Sequence, residues 1–575
     1  MQNFLLKLNL KKGKINSFLF NLILFLLPFQ GRFFFETPFS YFDNTFIEYN
    51  SFYITTAEIL IFILIIFNLA LFWKSLCNLT QSNKYLMIIL VLFCLVLLNL
   101  LNSINIFISL HKYFHLSLWL MFAWFGLKHF VNWQRLINSA QVILFSAFFQ
   151  SIFVVVQFFL QKSINSLFAR ESVFSKLFKM TGESVLAKDI IGVSKILEDG
   201  EIYIRAYGTQ PHPNILGAYL FFALIIIFYY AKNLENNHLI FNNLIVLRLK
   251  RFFKLLKSLI SRPEPKTIRR FFTQKELIFP RKLPDGSFKL KTQLIYRDYL
   301  KLFRPEQTDQ ADSNFKILNN KYHKLEINLL RGLAVLFVAA LLLTFSRGAL
   351  LGLLIVFLYL FITKYLDKLL LPLITAFFVL LMLLSPFYIN RAGEKVFLYS
   401  GTKNQAPQNK KPVKTDLTLR GYYKTKAKKI ISGNLFFGIG AGNFVYFELK
   451  NNDLEVSPLF LQPVHNIFLL GAGEFGIILF SFLIYFLTKA LIEKSKRVFW
   501  IDTGILKTAI IIFVIVLGMF DHYFLSFSQG ISILTVLILF FASSSFINKN
   551  VYNLEQLKRR GNFSKNYHCS SQIYP

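Results

Sequence analysis

The chain has 575 residues, of which 55% are hydrophobic and only 16% charged, with a mean hydropathy of +0.49. Because soluble domains carry about 25% charged residues, this composition excludes an ordinary soluble enzyme, a disordered chain and a disulfide-rich scaffold. Lys and Arg outnumber Asp and Glu by 64 to 30, a net charge of +34, which in so apolar a chain is typical of the cytoplasmic loops of a membrane protein.

Apolar runs long enough for a transmembrane helix, about 18 residues, recur along the whole chain. We therefore predict an all-α fold, a polytopic transmembrane bundle of about twelve spans. An even number of spans places both termini on one side of the membrane. The predicted spans are 16–35, 54–73, 84–101, 113–130, 137–160, 213–231, 328–345, 348–363, 369–389, 464–487, 504–523 and 528–547.

Basic residues in the short connecting segments set the predicted orientation. Segments rich in Lys and Arg stay in the cytoplasm. The segment 31–53 carries Arg32 against Glu36, Asp43 and Glu48, and is predicted to lie outside. Both termini are therefore expected in the cytoplasm. The basic residues on the terminal side include Lys7, Lys11, Lys12, Lys14, Lys74, Lys84, Lys128, Arg135, Lys364, Lys368, Lys489, Lys494, Lys496 and Arg497.

The spans and the segments between them divide the chain into five predicted parts. An N-terminal bundle and a core segment each contain one long extracytoplasmic loop, whereas a basic insertion and a basic tail face the cytoplasm and its anionic lipids. The parts are 1–231 with the loop 161–212, the insertion 232–327, the core 328–488 with the loop 390–463, the last two spans in 489–547, and the tail 548–575.

Each long extracytoplasmic loop contains one amphipathic stretch. In the first loop, Phe174, Leu177 and Phe178 share one helical face, a spacing typical of a helix that lies in the membrane interface. In the second loop, residues 416–431 predict a helix because apolar side chains recur every three or four positions. The predicted apolar face of this helix consists of Leu419, Tyr423, Ala427 and Ile430.

Arg205 stands just before a predicted span that begins with the motif His212-Pro213-Asn214. Proline suits the first turn of a helix, and the unpaired N–H groups of that turn favour an anion. A guanidinium binds phosphate oxygens through two parallel hydrogen bonds. We therefore expect Arg205 to bind an anion, with His212 and Asn214 either supporting it or merely starting the helix.

Ser346 and Arg347 lie in the very short connection between two spans. A charge close to membrane depth is costly unless it is paired. The tight connection is expected to direct Arg347 into the bundle or towards its outer mouth, where it would bind an anion. The alternative is an arginine that only extends to the membrane surface.

Arg420 precedes a glycine-rich segment, Gly438-Ile439-Gly440-Ala441-Gly442. Glycines allow backbone N–H groups to close on a phosphate, although a flexible connection fits this composition equally well.

His465 and Asn466 stand at the predicted outer start of a further span. Histidine is the side chain that accepts a proton near neutral pH, so His465 is the best candidate for a general base. Glu474 is nine residues further on and half a helical circuit away, which favours a structural carboxylate inside the bundle. The sequence shows no extracytoplasmic cluster of Asp, Glu and His that indicates a metal site.

Taken together, these motifs resemble the superfamily of O-antigen ligases and O-antigen polymerases, most closely over the core 328–488. Their order, spacing and predicted topology carry the resemblance, since no single motif is specific. The matching residues are Arg205, Gly208, His212, Pro213, Asn214, Thr344, Ser346, Arg347, Arg420, Gly438, Ile439, Gly440, Asn443, Phe444, His465, Asn466, Glu474 and Gly476.

The resemblance implies a multi-pass glycosyltransferase of the bacterial inner membrane that acts in polysaccharide biosynthesis for the cell envelope. Such enzymes transfer a glycan from undecaprenyl diphosphate to a hydroxyl on lipopolysaccharide or another glycan, outside the cytoplasm and without a metal or other cofactor. By resemblance Arg205 and Arg347 hold the diphosphate, and we place Arg420 with them. His465 matches the histidine that activates the acceptor.

Supporting roles are predicted for His212, Asn214, Ser346 and Asn466. The sequence departs from the family in two places. Tyr422 or Tyr423 stands where the family often has Trp, and the insertion 232–327 is unusually long.

Alternatives remain at the level of the sequence. The sequence does not distinguish a ligase from a polymerase, because the outer loops select the acceptor and their sequence does not reveal which sugar they bind. A transporter or flippase of lipid-linked sugars would also use outer arginines, together with ionisable groups at mid-membrane and broken helices. Partners are the lipid-linked donor, the acceptor, the bilayer and other polysaccharide-assembly proteins; nucleic acid is not expected.

Overall fold

A computed structural model describes residues 2–29, 31–42, 45–80, 83–130, 133–161, 195–198, 201–235, 327–365, 367–384, 416–451, 461–492 and 500–541. These residues are mostly helical. The helices in chain order are α1 (Gln2–Leu26), α2 (Thr56–Phe67), α3 (Leu69–Thr80), α4 (Asn83–Leu101), α5 (Ile106–His129), α6 (Trp133–Leu160), α7 (Pro213–Glu235), α8 (Ile327–Leu343), α9 (Arg347–Ile362), α10 (Asp367–Leu383), α11 (Asp416–Gly433), α12 (Phe444–Lys450), α13 (Ile467–Ile492), α14 (Trp500–Phe520), α15 (Tyr523–Ser526) and α16 (Ser528–Phe541).

Short strands, which the sequence analysis did not predict, form antiparallel pairs between the helices. β1 (Arg32–Phe35) pairs with β4 (Phe52–Thr55), with Arg32 opposite Thr55. Between them β2 (Tyr41–Phe42) pairs with β3 (Thr45–Phe46), and further along β5 (Lys195–Glu198) pairs with β6 (Glu201–Ile204). The predicted helical class is confirmed, with these small pairs added to it.

Every predicted span overlaps a helix, but fewer helices qualify as membrane spans. By length and apolar composition, four helices of the described residues are long enough to cross a membrane, or five if the bent pair α2 and α3 is one span. Several others are short; α9, for example, has 16 residues. The count of about twelve therefore stays a prediction. The four are Ile106–His129, Arg135–Leu160, Pro213–Lys232 and Ile467–Lys489.

The bend between α2 and α3 is 74° and lies at Asn68. The Asn68 amide exchanges two hydrogen bonds with Asn16 of α1, at 2.8 and 3.0 Å, and donates to the Leu64 carbonyl. An amide pair can replace backbone hydrogen bonds lost at a break within an apolar bundle. The broken helix is thus held in a fixed shape by α1.

The packing of α7, α9 and α14 brings three helix ends together. Phe221 of α7 stacks on Phe513 of α14 with ring centroids 3.5 Å apart. A Cβ at Gly217 would lie 2.9 Å from Ala349 of α9, so glycine lets these two helices approach closely. As a result the start of α7, the start of α9 and the end of α14 lie at one end of the bundle, which we call the site end.

The glycine-rich segment before α12 is a packed turn rather than a phosphate-binding loop or a flexible connection. Gly440 has a φ of 93°, and its N–H donates to the Glu474 carbonyl. The N–H groups of Ala441 and Gly442 are bound by Asn99 and by the Glu474 carboxylate. Because these amides are already paired within the protein, the predicted phosphate role of this turn is wrong.

The partner of this turn is a break in α13 at Gly476, which has a φ of 74°. Glu474 lies just before the break, is 3% exposed, and accepts from the backbone N–H groups of Gly442 and Phe444. It therefore has the structural role that the sequence favours.

The helix predicted at 416–431 is α11, and its predicted apolar face is confirmed for Tyr423, Ala427 and Ile430, each 0% exposed. These side chains pack against Ile47 of the β3–β4 connection and against Val464. The amphipathic stretch around Phe174 lies outside the described residues.

The chain divides into two compact units. One consists of Met1–Tyr229 with Ala334–Pro575, and the other of Tyr230–Leu333. Of the second unit, the structure describes the end of α7 and the start of α8.

Candidate active site

A buried carboxylate lies at the centre of the site end. Asp521 follows α14 directly and is 4% exposed. Its carboxylate accepts hydrogen bonds from the Asn214 amide and from the backbone N–H of His522, the latter at 2.8 Å. The positive charges of Arg420 and Arg205 also act on this carboxylate.

His465 lies beside this carboxylate. Its Nδ1 atom is 4.0 Å from Asp521 Oδ1, and its side chain is 12% exposed. This distance exceeds a hydrogen bond but allows a strong electrostatic interaction. A carboxylate on the Nδ1 side stabilises an imidazolium that forms when the ring accepts a proton. The arrangement suits a base that takes up a proton during a reaction.

A second histidine, His522, completes the centre. Its ring centroid is 5.0 Å from that of His465, and it is 0% exposed. Nδ1 is 2.7 Å from the Ser526 hydroxyl, whereas Nε2 has no hydrogen-bond partner among the described residues.

Arg205 is placed against the end of α8 and 5% exposed. Its guanidinium donates to the carbonyls of Thr344 and Phe345, at 3.1 and 3.0 Å, and to the Asn214 amide oxygen at 3.0 Å. Carbonyls at a helix C-terminus carry a partial negative charge that attracts a cation. Phe345 has a φ of 48°, an uncommon backbone conformation for a bulky residue, and this turn presents the two carbonyls to Arg205.

The two other predicted arginines are exposed. Arg420, on α11, lies close enough for its charge to act on Asp521 and His522. Arg347 is the first residue of α9, next to Gly348, at which a Cβ would lie 3.3 Å from Phe520. The structure therefore brings Arg205, Arg420 and His465 around Asp521. It places the start of α9, with Arg347, at the same end of the bundle.

The predicted supporting residues have clear positions. Asn214 links Arg205 to Asp521, since it accepts from the first and donates to the second. His212 Nδ1 accepts from the Asn214 N–H at 3.2 Å, and its ring lies 4.4 Å from that of Tyr523. Both residues therefore belong to the group around Asp521.

Ser346 and Asn466 are helix caps. The Ser346 hydroxyl accepts from the Ala349 N–H at the start of α9. Asn466 Oδ1 accepts from the N–H groups of Phe468 and Leu469 at 2.9 Å, and its amide donates to the Met519 carbonyl near the end of α14. Side chains that cap a helix N-terminus stabilise it by about 1 kcal/mol. Their contribution to the site is to fix the starts of α9 and α13.

Three stacked aromatic side chains, one of them from the β3–β4 connection, pack against this group. Tyr49 meets His522 edge to face at 5.7 Å and stacks on Phe527 at 5.2 Å. Phe527 in turn stacks on Tyr523 at 5.4 Å. Aromatic side chains exclude water and offer apolar faces to sugar rings.

Three groups of this site have the chemistry of metal ligands, although the sequence indicated no such cluster. One ligand atom each of His465, Asp521 and His522 lies within 4.8 Å of the others. The positive charges of Arg205 and Arg420 act on the same carboxylate and oppose a further cation. The electrostatics of the site therefore favour an anionic ligand over a metal ion.

Sequence analysis missed Asp521, His522 and Tyr49. An Asp-His pair at the end of a predicted span, 504–523, is itself a signal, since ionisable residues within spans are rare and functional. Tyr49 lies in a segment of short strands and carried no signal.

A small cavity lies against Asp521 and continues between α7, α14 and α16. Apart from Asn214 and Asp521 its walls are largely apolar. It is lined by Asn214, Ile215, Ala218, Leu517, Asp521, Tyr523, Phe524 and Gly530.

The described residues thus place guanidiniums, imidazoles and a largely apolar cavity at one end of a helical bundle. Residues 332–484 match the family model for O-antigen ligase. The resemblance to the O-antigen ligase superfamily is thereby confirmed over this segment, which contains Arg347, Arg420 and His465. No match was found among curated proteins or among solved structures.

Proposed function

We propose that the protein is a glycosyltransferase of the bacterial inner membrane that transfers a glycan from undecaprenyl diphosphate to an acceptor hydroxyl outside the cytoplasm. One observation carries the proposal: Arg205, Arg420 and His465 surround Asp521 at the site end. The family match at residues 332–484 supports a role in polysaccharide biosynthesis.

Arginines are suited to the donor side of this reaction. When the bond between the anomeric carbon and the phosphate oxygen breaks, the bonding electrons go to the diphosphate, whose negative charge rises. Arg205, Arg347 and Arg420 stabilise this charge and replace a metal ion in that role. Arg205 is held by the α8 carbonyls, so its charge is already in place before the donor binds.

His465 serves the acceptor side. Its Nε2 atom takes the proton from the acceptor hydroxyl as the oxygen bonds to the anomeric carbon. Asp521, 4.0 Å from Nδ1, stabilises the imidazolium that forms. Asn214 orients the carboxylate, since it donates to Asp521 while it accepts from Arg205.

Buried charges elsewhere in the bundle do not favour the transporter alternative. Glu58, for example, is 0% exposed and bound by Thr55, His115, Trp119 and Ser528. A carboxylate saturated by fixed donors is typical of a structural brace, whereas a transport pathway needs groups that exchange partners.

Glycan analysis of a deletion strain tests the proposal, and within it the ligase reaction. A ligase deletion accumulates long carrier-linked chains that are not attached to an acceptor. Single unpolymerised repeats would identify a polymerase, and unchanged glycans would overturn the proposal.

A further inference from the structure

Three consecutive residues that follow His522 are each held by a charged side chain from the N-terminal part of the chain. Lys112 of α5 donates from Nζ to the Ser526 carbonyl at 2.7 Å. Arg32 of β1 lies over the Phe527 ring, with Cζ 5.3 Å from the centroid. Glu58 of α2 accepts from the Ser528 hydroxyl.

All three charged side chains are buried. Arg32 is 3% exposed, Lys112 7% and Glu58 0%. Arg32 also pairs with Glu48, and Glu58 also binds His115 at 2.5 Å. Buried ionic groups add little net stability compared with apolar residues, but they select one arrangement over others. Three buried charged side chains contact three successive residues. We therefore infer that these contacts fix the position of this segment rather than raise the stability of the protein.

The residue whose position they fix is His522. Ser526 Oγ is 2.7 Å from His522 Nδ1, so the place of Ser526 sets the orientation of this imidazole. Arg32 acts through Glu48, whose neighbour Tyr49 contacts His522 and stacks on Phe527. One ring nitrogen of His522 lies within 4.8 Å of side-chain atoms of His465 and Asp521.

We propose that Arg32, Glu58 and Lys112 are positioning residues of the transfer reaction, and that they act by holding Ser526, Phe527 and Ser528 beneath His522. The proposal rests on the proposed function for its catalytic consequence. All three residues lie outside the matched segment 332–484. The N-terminal bundle would thus help to complete a site that also contains Arg347, Arg420 and His465 of the matched segment.

The first experiment measures the position of His522 without any substrate. Diethyl pyrocarbonate modifies accessible neutral imidazoles, and mass spectrometry of the purified full chain gives the rate at each histidine. Fully buried His522 should react slowly in the parent. Lys112→Met, Arg32→Met and Glu58→Gln should each raise that rate by about tenfold, the factor expected when a hydrogen bond to a charged group is lost.

Lys128→Met is the matched control on the same helix, because Lys128 contacts Trp124 and Ser75 and not this segment. It should leave the His522 rate unchanged. An unchanged rate in all three positioning variants, or an equal rise in the control, would overturn the proposal.

The second experiment separates positioning from general loss of structure. Lys112→Met and Ser526→Ala should each lower kcat by about 10- to 100-fold, with a donor KM within a factor of about 3, because a displaced His522 also displaces the ring of His465, 5.0 Å away. Combined, they should cost little more than either alone, since both act through His522. Ser532→Ala, a buried serine bound to Gln529, is the control.

Additive losses in the double variant would contradict positioning through His522. If the parent shows no transfer at all, the proposed function fails, and the modification rates still decide whether these residues hold His522.

Discussion

At the scale of single residues, the account depends on His465 and on the buried carboxylate beside it. Sequence analysis selected His465 because it stands at the start of a helix. The partner that supports its role as a base, Asp521, lies 56 residues further along the chain. The contact of His465 with Asp521 could not be predicted, because it depends on how α13 and α14 pack. Asp521 itself was visible as a charge within a predicted span.

Replacement of His465 tests the base. His465→Ala and His465→Gln should both slow transfer by roughly 10²- to 10⁴-fold while the lipid-linked donor still binds, since glutamine keeps a hydrogen bond but cannot accept a proton near neutral pH. His129→Gln is a suitable control, since His129 packs among Phe20 and Phe130 away from the site. Near-parental transfer by His465→Gln would leave His465 only an anchoring role.

Asp521→Asn tests the electrostatic partner of His465. A neutral amide cannot stabilise the His465 imidazolium, so this substitution should reduce transfer, measured in a membrane assay at equal protein level. Equal transfer rates for the variant and the parent would show that the Asp521 charge has no part in the reaction.

The role of Arg347 remains a prediction, since the structure shows only its place at the start of α9. Arg347→Lys should impair transfer strongly, because an ammonium cannot reproduce the paired hydrogen bonds of a guanidinium to phosphate. Arg135→Lys, at an exposed arginine of α6, should have no effect. Equal transfer rates for Arg347→Lys and the parent, at equal protein level, would mean that Arg347 only extends to the membrane surface.

At the scale of elements, the helices were predictable and their breaks were not. Long apolar runs predict helices because backbone groups in lipid must be paired within the segment. The bend at Asn68 depends on Asn16, and the break at Gly476 depends on the turn before α12, so each requires a partner distant in sequence. The interpretation of the glycine-rich segment as a phosphate loop failed for the same reason.

The packed glycine turn gives a stability prediction. A Cβ at Gly440 would lie 2.2 Å from the Ser103 hydroxyl, in a backbone conformation with φ of 93°. Gly440→Ala should therefore destabilise the protein by about 1–3 kcal/mol, measured as a lower midpoint of thermal unfolding in detergent. Gly421→Ala on α11, where a Cβ has open space, should be neutral or stabilising by about 0.5–1 kcal/mol. Equal midpoints for both variants would mean that the turn is not closely packed.

At the scale of the whole molecule, the site joins segments from almost the full length of the chain. Tyr49, Arg205, His465 and Asp521 come from four distant parts of the sequence but lie at one end of the bundle. From the sequence, only the arginines and His465 were placed together, because all of them were predicted on the same side of the membrane. The orientation with both termini in the cytoplasm stays a prediction from the positive-inside rule.

The central claim is tested most directly with the purified full-length protein, a glycan linked to undecaprenyl diphosphate, and a lipopolysaccharide core acceptor, with products followed by mass spectrometry. The account predicts that the glycan appears on the acceptor while undecaprenyl diphosphate is released, and that His465→Gln abolishes this product without preventing donor binding. Donor that remains intact in the presence of acceptor and folded protein would contradict it.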